Sequence, residues 1–474
     1  MKSVDMILSA PHIYTMEGDG VGYLGHAAIA VDRGAIVALD DQDVIFSEYK
    51  SERCIKMEHH AILPGFIDAH MHTDIGICRG LAQDTKHWMM YGMGPFDDAL
   101  SRKEEIIGSK VCYVEALRAG TTTFGDSNVI PEETAQFVQK IGVRACLTKE
   151  IRDAKYKIYA PGELYEFDEE MGARSLGENL DFFNRWDGKA DGRIHVFFGP
   201  QGADFCSPGM LNRVQQLATE KNTKIHMHVQ QGSRETEQIM CRYGIRPIAW
   251  LEKIGYLNKN LLAVHLSDAN DDEVRQVARS GAAMIACPGS IGIIDGIVPP
   301  SVVYQQAGGV VALGSDQAPG NNCHNMFNEM KLAALFNKIK YQDPECVPAW
   351  RALRIATIDG AKALGLEDKV GSLRPGKRAD FIAVDLHAPT MMPVYTEPMR
   401  NIVPNLVYSA RGNEVSLVCV EGQILLENGK LQTMDEETII ADAQACVPEL
   451  AARASKAFWE VNGSNAALMR EGKL

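Results

Sequence analysis

The chain has 474 residues, 46% of them hydrophobic and 23% charged, which is the balance of a globular protein with a large buried core. Since one eightfold barrel takes about 250 residues, this length predicts a barrel plus a smaller domain. The formal net charge of −14 argues against nucleic acid and anionic membranes as main partners, because both bind clustered Lys and Arg. We expect a small-molecule partner.

Strand-like segments occur at both ends of the chain. Short alternating patterns broken by turns run through residues 5–60 and return at residues 371–384 and 417–425. We therefore predict a small composite β-sandwich domain from residues 1–60 and 369–435. Residues 436–474 have helical spacing and are predicted to form a C-terminal helical segment.

Between these ends, apolar runs alternate with amphipathic helical runs over residues 61–368. Parallel strands with interposed helices predict an α/β fold, a closed (β/α)₈ TIM barrel with its chemistry at the carboxyl ends of the strands. The predicted strands are residues 62–70, 121–124, 143–149, 194–199, 224–229, 262–265, 283–287 and 310–315.

The cysteines and the apolar runs bear on the cell compartment. Eleven cysteines are scattered through the chain without a Cys-x-x-Cys pair, so we predict that they are reduced. No run approaches the roughly 18 apolar residues of a membrane span, and no signal-type segment follows Met1. The sequence predicts a cytoplasmic protein.

Histidines and one aspartate stand where the predicted strands end. His70 and His72 close the first strand, and alternate strand residues share a face, so both can ligate one ion. A lone His-x-His pair is more often a packed pair, but His228, His265 and Asp316 also end strands. Zinc takes imidazole and carboxylate ligands and leaves one position for water. We predict one divalent metal, zinc before iron, held by His70, His72, His228 and Asp316.

The other polar groups at the strand ends have alternative interpretations. His265 is either a ligand or a group that orients the attacking water and moves its proton. Asp316 is also expected to take a proton from that water, although an aspartate after a strand is often a helix cap. His226 is interpreted as a buried histidine bonded to a backbone carbonyl.

Four segments resemble the amidohydrolase superfamily: residues 63–72, 314–316, 356–361 and 371–380. The resemblance spans nearly the whole chain. Residues 78–80 and 325–335 are most similar to the branch that holds triazine hydrolases and methylthioadenosine/S-adenosylhomocysteine deaminases.

The resemblance implies a mononuclear zinc or iron hydrolase that uses metal-activated water to cleave a C–N bond at an amidine-like carbon of a small nitrogen heterocycle. It implies the same four ligands, with His265 beside the water, and a homodimer or higher homo-oligomer. Dinuclear relatives use a carbamylated lysine on the fourth strand. Lys149 is the candidate here, but it ends the third predicted strand.

The sequence departs from the deaminases at three places. They carry a glutamate where this chain has Gln231, and an amide cannot deliver the proton that typically contributes about 10²- to 10⁴-fold in rate. Glu235 and Glu237 are the nearby acids that could substitute. Gln201 stands where these deaminases usually have histidine, and residues 287–292 lack their asparagine. We therefore expect a substrate other than an adenosine derivative.

Further side chains are candidates for substrate contact. Gln201, Gln231 and Gln317 are expected to address the substrate, with Gln231 also at the reacting atoms. Arg79 and Trp88 are expected to close over the pocket. Three more could face it or pack in loops: Cys206, Cys323 and His324.

Two other functions remain open at this point. A triazine-type chlorohydrolase would keep the metal and release halide instead of an amine. A metal-binding protein that has lost turnover would keep the ligands and hydrolyse nothing.

Overall fold

The computed structural model describes residues 1–156, 159 and 162–474, without the side chain of Asp97. One of its sheets is a barrel whose neighbouring strands run parallel, in the order of the chain. The barrel strands are β1 (Phe66–His72), β2 (Thr121–Asn128), β3 (Arg144–Ile151), β4 (Ile194–Pro200), β5 (Ile225–Val229), β6 (Leu261–His265), β7 (Ala283–Ala286) and β8 (Val310–Leu313).

The last strand closes the barrel. After Leu313 the chain resumes extended pairing at Asp316–Gln317, which lies parallel to Met71 and His72 of β1. The predicted (β/α)₈ fold is confirmed. The eight predicted strand positions coincide with β1 to β8 to within a few residues at most ends.

Helices cover the outside of the barrel because each has one apolar face. In Glu132–Ile141, the buried residues Ala135, Val138 and Ile141 recur every three residues, and Gly142 ends the helix at φ 86°. The other long helices around the barrel are Arg102–Arg118, Glu169–Trp186, Pro208–Glu220, Ser233–Tyr243, Asp271–Arg279 and Met326–Tyr341. Shorter helical segments are Gln42–Glu48, Gly76–Cys78, Met89–Met93, Gly94–Asp97, Lys189–Gly192, Pro247–Lys253, Pro288–Ile294, Ser301–Gln306, Ala318–Asn321, Ala349–Ile355, Ile358–Leu364 and Ile402–Tyr408.

A second sheet is built from both ends of the chain. At its centre His60–Pro64 pairs antiparallel with Phe381–Asp385, so the predicted boundary between residues 60 and 61 falls inside a strand. The chain then crosses to β1 at Gly65, where a Cβ atom would lie 2.2 Å from the Thr122 side chain. The sheet's other strands are Met6–Tyr14, Tyr23–Asp32, Ala35–Asp41, Cys54–Lys56, Val415–Val420, Gln423–Glu427 and Lys430–Leu431, and Lys2–Ser3 pairs separately with Tyr49–Lys50.

A buried ion pair joins the two sheets. The Arg144 side chain, at the start of β3, is fully buried, and its Nε donates to Asp380 Oδ2 at 3.0 Å. Its Nη2 donates to Glu421 Oε1 at 3.1 Å. Removing one member of a buried charged pair strands the other in a medium of low polarity, so this contact fixes the second sheet against the base of the barrel.

The chain ends in the helices Glu436–Val461 and Gly463–Arg470. Arg453 in the first of them pairs with Glu104 at the start of Arg102–Arg118, which holds it against the barrel. Among the described residues, no helix combines the length and the apolar composition needed to span a bilayer.

Candidate metal centre

Imidazoles and a carboxylate converge at the carboxyl ends of the barrel strands. Asp316 Oδ1 lies 3.5 Å from the Nε2 atoms of both His70 and His72. His72 Nε2 in turn lies 3.3 Å from His228 Nε2. The structure therefore brings together the four predicted ligands from β1, β5 and the end of β8.

The hydrogen bonds of His72 and His228 fix which ring nitrogen carries the proton. Each Nδ1 lies 2.8 Å from a backbone carbonyl oxygen, that of Ser127 for His72 and that of Gln201 for His228. In the neutral rings both Nδ1 atoms must then donate, so both Nε2 atoms carry lone pairs. Two lone pairs that face each other at 3.3 Å repel unless a cation lies between them.

The spacing suits zinc. Zinc–nitrogen bonds of about 2.0–2.1 Å in a tetrahedral site separate the ligand atoms by about 3.4 Å, and the 3.3 and 3.5 Å separations here match it. His70 Nε2 is buried without a hydrogen-bond partner in the described part of the chain. The residues therefore fit a divalent ion, which would supply an activated water at its open position.

His226 lies one layer deeper and orients His70. Its Nε2 is 2.8 Å from His70 Nδ1, and its Nδ1 is 3.3 Å from Thr148 Oγ1. The interpretation that His226 bonds to a backbone carbonyl is wrong: its partners are a ligand imidazole and a hydroxyl. With His70 donating to His226 and His226 to Thr148, His70 Nε2 is left free for metal.

Burial keeps these rings uncharged. It lowers the pKa of His226 to about 3 and that of His228 to about 4, and neighbouring imidazoles add to the effect. Burial likewise holds the pKa values of His70 and His265 well below the usual range. An imidazole must be neutral to ligate a metal, so the site is prepared for one at neutral pH.

His265 faces the same centre from β6. Its Nε2 lies 4.0 Å from Asp316 Oδ2, and its ring stacks on His228 at 5.4 Å between centroids. Both of its ring nitrogens are buried without a hydrogen-bond partner among the described residues. The ring is therefore free to bond to a water or a substrate atom beside the metal.

The backbone is strained where the site needs it. His265 has φ 78° and Asp316 has φ 62°, a left-handed region that side chains rarely adopt and that costs about 1–3 kcal/mol per residue. Gly314 allows β8 to approach β1, because a Cβ there would lie 2.8 Å from His70 Cβ. Asp68 holds the next residue by accepting from Ser315 N at 2.9 Å and Ser315 Oγ at 2.5 Å.

A cleft of about 310 Å³ opens on the same end of the barrel. Two predicted substrate residues line it: Trp88, which is only 8% exposed, and Gln231. Met89, Ile294 and Asp295 belong to the same wall. Gln231 and Trp88 thus line the same cleft.

The two other predicted glutamines are held by protein groups. With its nitrogen turned to donate, the Gln201 amide lies 3.0 Å from both carboxylate oxygens of Glu150. The Gln317 amide, likewise turned, donates to Asp316 and lies 3.3 Å from Ser290 Oγ. Gln201 also lines the small hollow beside His72 and His228, whereas Gln317 is buried against the carboxylate.

Arg79 is also engaged within the protein. Its guanidinium pairs with Glu115 and donates to the Asn322 carbonyl at 3.3 Å. Lys149 lies on β3, as predicted, and its Nζ sits 5.7 Å from the centre of the Phe182 ring on the helix outside the barrel. That direction argues against a bridging role between two metals.

The three loop residues considered for substrate contact, Cys206, Cys323 and His324, pack within the protein. Cys206 Sγ donates to the Ile151 carbonyl at 3.4 Å, and His324 Nδ1 lies 2.7 Å from Ser315 Oγ. Cys323 is partly buried, and burial raises its thiol pKa to about 12. None of these contacts is with a metal ligand.

The two acids considered as substitutes for the missing glutamate differ. Glu235 is buried, and its Oε2 accepts from Gln230 N at 2.5 Å, so it braces the loop that carries Gln231. Burial raises its pKa to about 8, with the charge of Asp204 adding to the effect. Glu237 is exposed on the following helix.

Sequence reasoning missed Thr148 and Asp295. Thr148 follows no motif, but its position in β3 puts it on the inward face at the depth of His226, which a register argument could have found. Asp295 ends a short helix after β7 and carries no local signal at all.

With this geometry in view, comparison with known proteins identifies the family. The model of the amidohydrolase family matches residues 61–425, which include β1 to β8 and every candidate ligand. The chain belongs to the amidohydrolase family. The predicted resemblance is thereby confirmed, as is the reaction class: this amidohydrolase is a metal-dependent hydrolase of non-peptide C–N bonds in nitrogen heterocycles.

Curated relatives align over nearly their whole lengths. A 5-methylthioadenosine/S-adenosylhomocysteine deaminase from Pelotomaculum thermopropionicum is 32% identical over 445 residues, 93% of this chain and 97% of the relative. A 5'-deoxyadenosine deaminase from Methanosarcina acetivorans is 31% identical over 456 residues, 95% and 99% of the two chains.

Solved structures share the fold. A zinc-bound adenosine deaminase from Xanthomonas campestris superposes with a TM-score of 0.86 at 26% identity, covering 95% of this amidohydrolase and 99% of that chain. A zinc complex of an atrazine chlorohydrolase from Arthrobacter aurescens gives 0.81 at 21% identity, covering 94% and 100%, a similarity that speaks for the fold alone.

Proposed function

We propose that this amidohydrolase removes an exocyclic amino group, as ammonia or an amine, from a small nitrogen heterocycle. The observation that carries the proposal is the pair of facing lone pairs on His72 and His228, with the Asp316 carboxylate 3.5 Å from His72 Nε2. This arrangement suits a single divalent ion and a hydrolytic water.

The ion proposed is zinc, with His70, His72, His228 and Asp316 as its ligands. Zinc lowers the pKa of a coordinated water to about 7. The bound zinc of the similar adenosine deaminase structure supports zinc over iron. Metal analysis of the purified protein by mass spectrometry tests this assignment directly.

Asp316, His265 and Gln231 have different roles in the proposed reaction. Asp316 accepts a proton from the attacking water, and His265, 4.0 Å from its Oδ2, orients that water and passes the proton on. Gln231 donates a hydrogen bond to a ring nitrogen of the substrate. An amide can hold that nitrogen but cannot protonate it, so the ring must be electron-poor enough to accept water without full protonation.

The substrate-binding groups proposed are Trp88 and Gln231 in the cleft, with Gln201 beside the metal ligands. Gln317 and Arg79 are assigned supporting roles instead, because each is bonded to a carboxylate inside the protein. Gln201 also contacts a carboxylate, that of Glu150, but it lines the hollow beside His72 and His228 and is therefore kept as a substrate group. The apolar wall formed by Trp88, Met89 and Ile294 suits one flat face of a heterocycle.

The relatives and the site residues lead to different expectations for the heterocycle. The names of the curated relatives favour an adenosine derivative, whereas Gln231 and Gln201 in place of the deaminase residues favour another aminated ring. We propose the second, because the proton donor that an adenine ring requires is replaced by an amide at Gln231.

An ammonia-release assay tests the function. Zinc-loaded protein would be incubated with 5'-deoxyadenosine, methylthioadenosine, diaminopyrimidines, aminotriazines and pterins, with Asp316→Asn protein as the matched control. Ammonia from a non-adenosine ring with wild type alone supports the proposal, and ammonia chiefly from the adenosine derivatives would reverse the substrate assignment. Chloride without ammonia from chlorotriazines would replace deamination by dehalogenation, and no release from any compound would contradict the proposal.

Two properties of the whole protein are proposed from its sequence. A cytoplasmic location is supported by eleven cysteines that are all free thiols. A homodimer is proposed from the family resemblance, and light scattering on the purified protein would measure it.

A further inference from the structure

Asp295 is a carboxylate in the cleft wall that has no partner. It follows the helix Pro288–Ile294 and lines the cleft together with Trp88 and Gln231. Within the described part of the chain, its side chain makes no hydrogen bond or ion pair. Gln231 follows β5 and Asp295 follows the helix after β7, so the two line the cleft from separate loops at the catalytic end of the barrel.

Helix stability does not account for Asp295. The residue is the C-cap of Pro288–Ile294, and its backbone N–H bonds to the Ile291 carbonyl. A negative charge at a helix C-terminus is unfavourable, because the helix dipole places partial negative charge there. The side chain therefore weakens the helix slightly and gains no bond in return.

Among the described residues, Arg234 is the one arginine that lines the cleft, and it is already neutralised. Arg234 Nε lies 3.1 Å from Asp204 Oδ2, whose side chain is fully buried, and the Arg234 guanidinium stacks on Phe205 at 4.5 Å. It is therefore not available to neutralise Asp295. The cleft wall carries one uncompensated anion beside apolar side chains.

The surroundings of Asp295 indicate what it would bind. Asp295 is exposed at the cleft surface, and desolvation by the surrounding protein together with the nearby charge of Asp316 raises its pKa to about 6. The carboxylate therefore remains mostly ionised at neutral pH. An ionised carboxylate binds N–H donors strongly, and most strongly when two parallel N–H groups bond to its two oxygens. An amidine offers such a pair of N–H groups on one edge. Trp88, Met89 and Ile294 offer the apolar contact that a ring attached to such an edge needs.

We propose that Asp295 is the substrate-recognition anion of the cleft: its carboxylate accepts hydrogen bonds from the N–H edge of an amidine-like heterocycle whose flat face packs on Trp88 and Ile294. This specificity role rests on the proposed deaminase function, because it assumes that the substrate enters this cleft. It selects rings with adjacent N–H groups over rings that present only acceptors there.

A non-reacting ligand pair isolates the binding step. Benzamidine carries an amidinium on an apolar ring, and benzamide is its uncharged counterpart of nearly the same shape. Titration calorimetry would measure both ligands on the zinc-loaded wild type, Asp295→Asn, Asp295→Glu and a remote control, Asp19→Asn, which removes the same charge from an exposed position.

The expected result is specific to one ligand and one position. Asp295→Asn weakens benzamidine binding by about tenfold or more, since a hydrogen bond to a charged group is lost, and leaves benzamide unchanged. Asp295→Glu retains most of the affinity, and Asp19→Asn retains all of it. Equal benzamidine affinity in wild type and Asp295→Asn, or no benzamidine binding by the wild type, would overturn the proposal.

Kinetics separate this inference from the proposed function. On whichever compound releases ammonia, Asp295→Asn should raise KM more than it lowers kcat, because Asp295 binds and does not react. If the wild type releases no ammonia from any compound, the deaminase function is contradicted. The benzamidine titrations still test the binding role of Asp295 independently. If ammonia is released and KM is unchanged in Asp295→Asn, only the role of Asp295 is contradicted.

Discussion

The floor and the wall of the catalytic end are built differently. On the floor, each candidate ligand histidine has its second ring nitrogen fixed, by the Ser127 carbonyl, the Gln201 carbonyl or His226. On the wall, Asp295 has no partner and Trp88 Nε1 is unbonded among the described residues. Hydrogen bonds therefore already orient the candidate ligand histidines of the floor, whereas the Asp295 side chain of the wall has no such bond to a described residue.

This difference implies that the floor determines the type of reaction and that the wall determines the choice of substrate. A preorganised floor commits the protein to hydrolysis, because its geometry is set by strands and their register. The wall consists of loop and helix-end residues, which can change without disturbing the barrel. Replacing floor residues should therefore abolish turnover, while replacing wall residues should redirect it.

The largest effect is expected on the floor, from Asp316→Asn. The amide can neither accept the proton of the attacking water nor balance the charge of the ion, so kcat should fall by at least about 10²- to 10⁴-fold. Steady-state ammonia release, with circular dichroism to check folding, measures it. Wild-type turnover in a folded variant would remove Asp316 from the reaction.

A wall change should produce the next largest effect, in the opposite direction. Gln231→Glu places an acid where the ring nitrogen is expected, and deamination of aminated rings should rise by up to about 10²-fold. Gln231→Asn, which keeps an amide on a shorter side chain, is the control. The variant would be assayed on the whole panel of compounds, and an unchanged profile would show that position 231 does not govern protonation.

Substitution of His226 tests whether a residue outside the four candidate ligands affects zinc affinity. His226→Gln replaces the rigid imidazole that orients His70 with a flexible amide, which holds the His70 ring less firmly, so zinc affinity should fall by about 10- to 100-fold. Thr148→Val, which removes only the hydroxyl bonded to His226, should produce a smaller change. Competition with a chromogenic chelator gives both affinities, and an unaltered zinc affinity in His226→Gln would deny it this role.

The smallest effect concerns the pH dependence of stability without metal. The folded protein holds the pKa of His226 at about 3, below the unfolded value of about 6.5. Its stabilising contribution is present above pH 6.5 and is lost as the pH falls toward 3, because only the unfolded chain takes up the proton. Wild type should therefore lose about 1.4 kcal/mol more per pH unit than His226→Gln between pH 6 and 4.

Urea unfolding in the presence of chelator measures that difference. Asp68 and Glu329, whose pKa values burial raises to about 8 and about 7, act with the opposite sign, losing stability as the pH rises. Both are unchanged in the variant, so their contributions cancel in the comparison. Parallel slopes for the two proteins would mean that His226 titrates normally.

The sequence was sufficient for the barrel and for the convergence on its floor. Apolar runs mark β1 to β8, and the period of a strand puts His70 and His72 on one face, so the ligand set follows from local pattern and strand order. The short contacts among His70, His72, His228 and Asp316 lie where that reasoning placed them.

The remainder depended on packing between distant segments. Arg79 was expected over the pocket, but Glu115, 36 residues away, binds its guanidinium. His226 lies on β5, but its hydrogen-bond partner His70 lies on β1. The sequence of β5 alone could not predict that contact. Asp295 faces the cleft only because the helix after β7 ends there, and no spacing in the sequence encodes that direction.

The Arg144 contact with Asp380 and Glu421 limits how small this enzyme can be made. A gene trimmed to residues 61–368 would encode a barrel in which Arg144 has lost both carboxylate partners and the sheet that carries them. A guanidinium that stayed buried would cost about 3–5 kcal/mol, much of the 5–15 kcal/mol that typically holds a domain folded, and one that became exposed would open the base of the barrel to water. Transplanting this catalyst into a shorter scaffold therefore requires carrying residues 380 and 421 along, or replacing Arg144 with an apolar side chain.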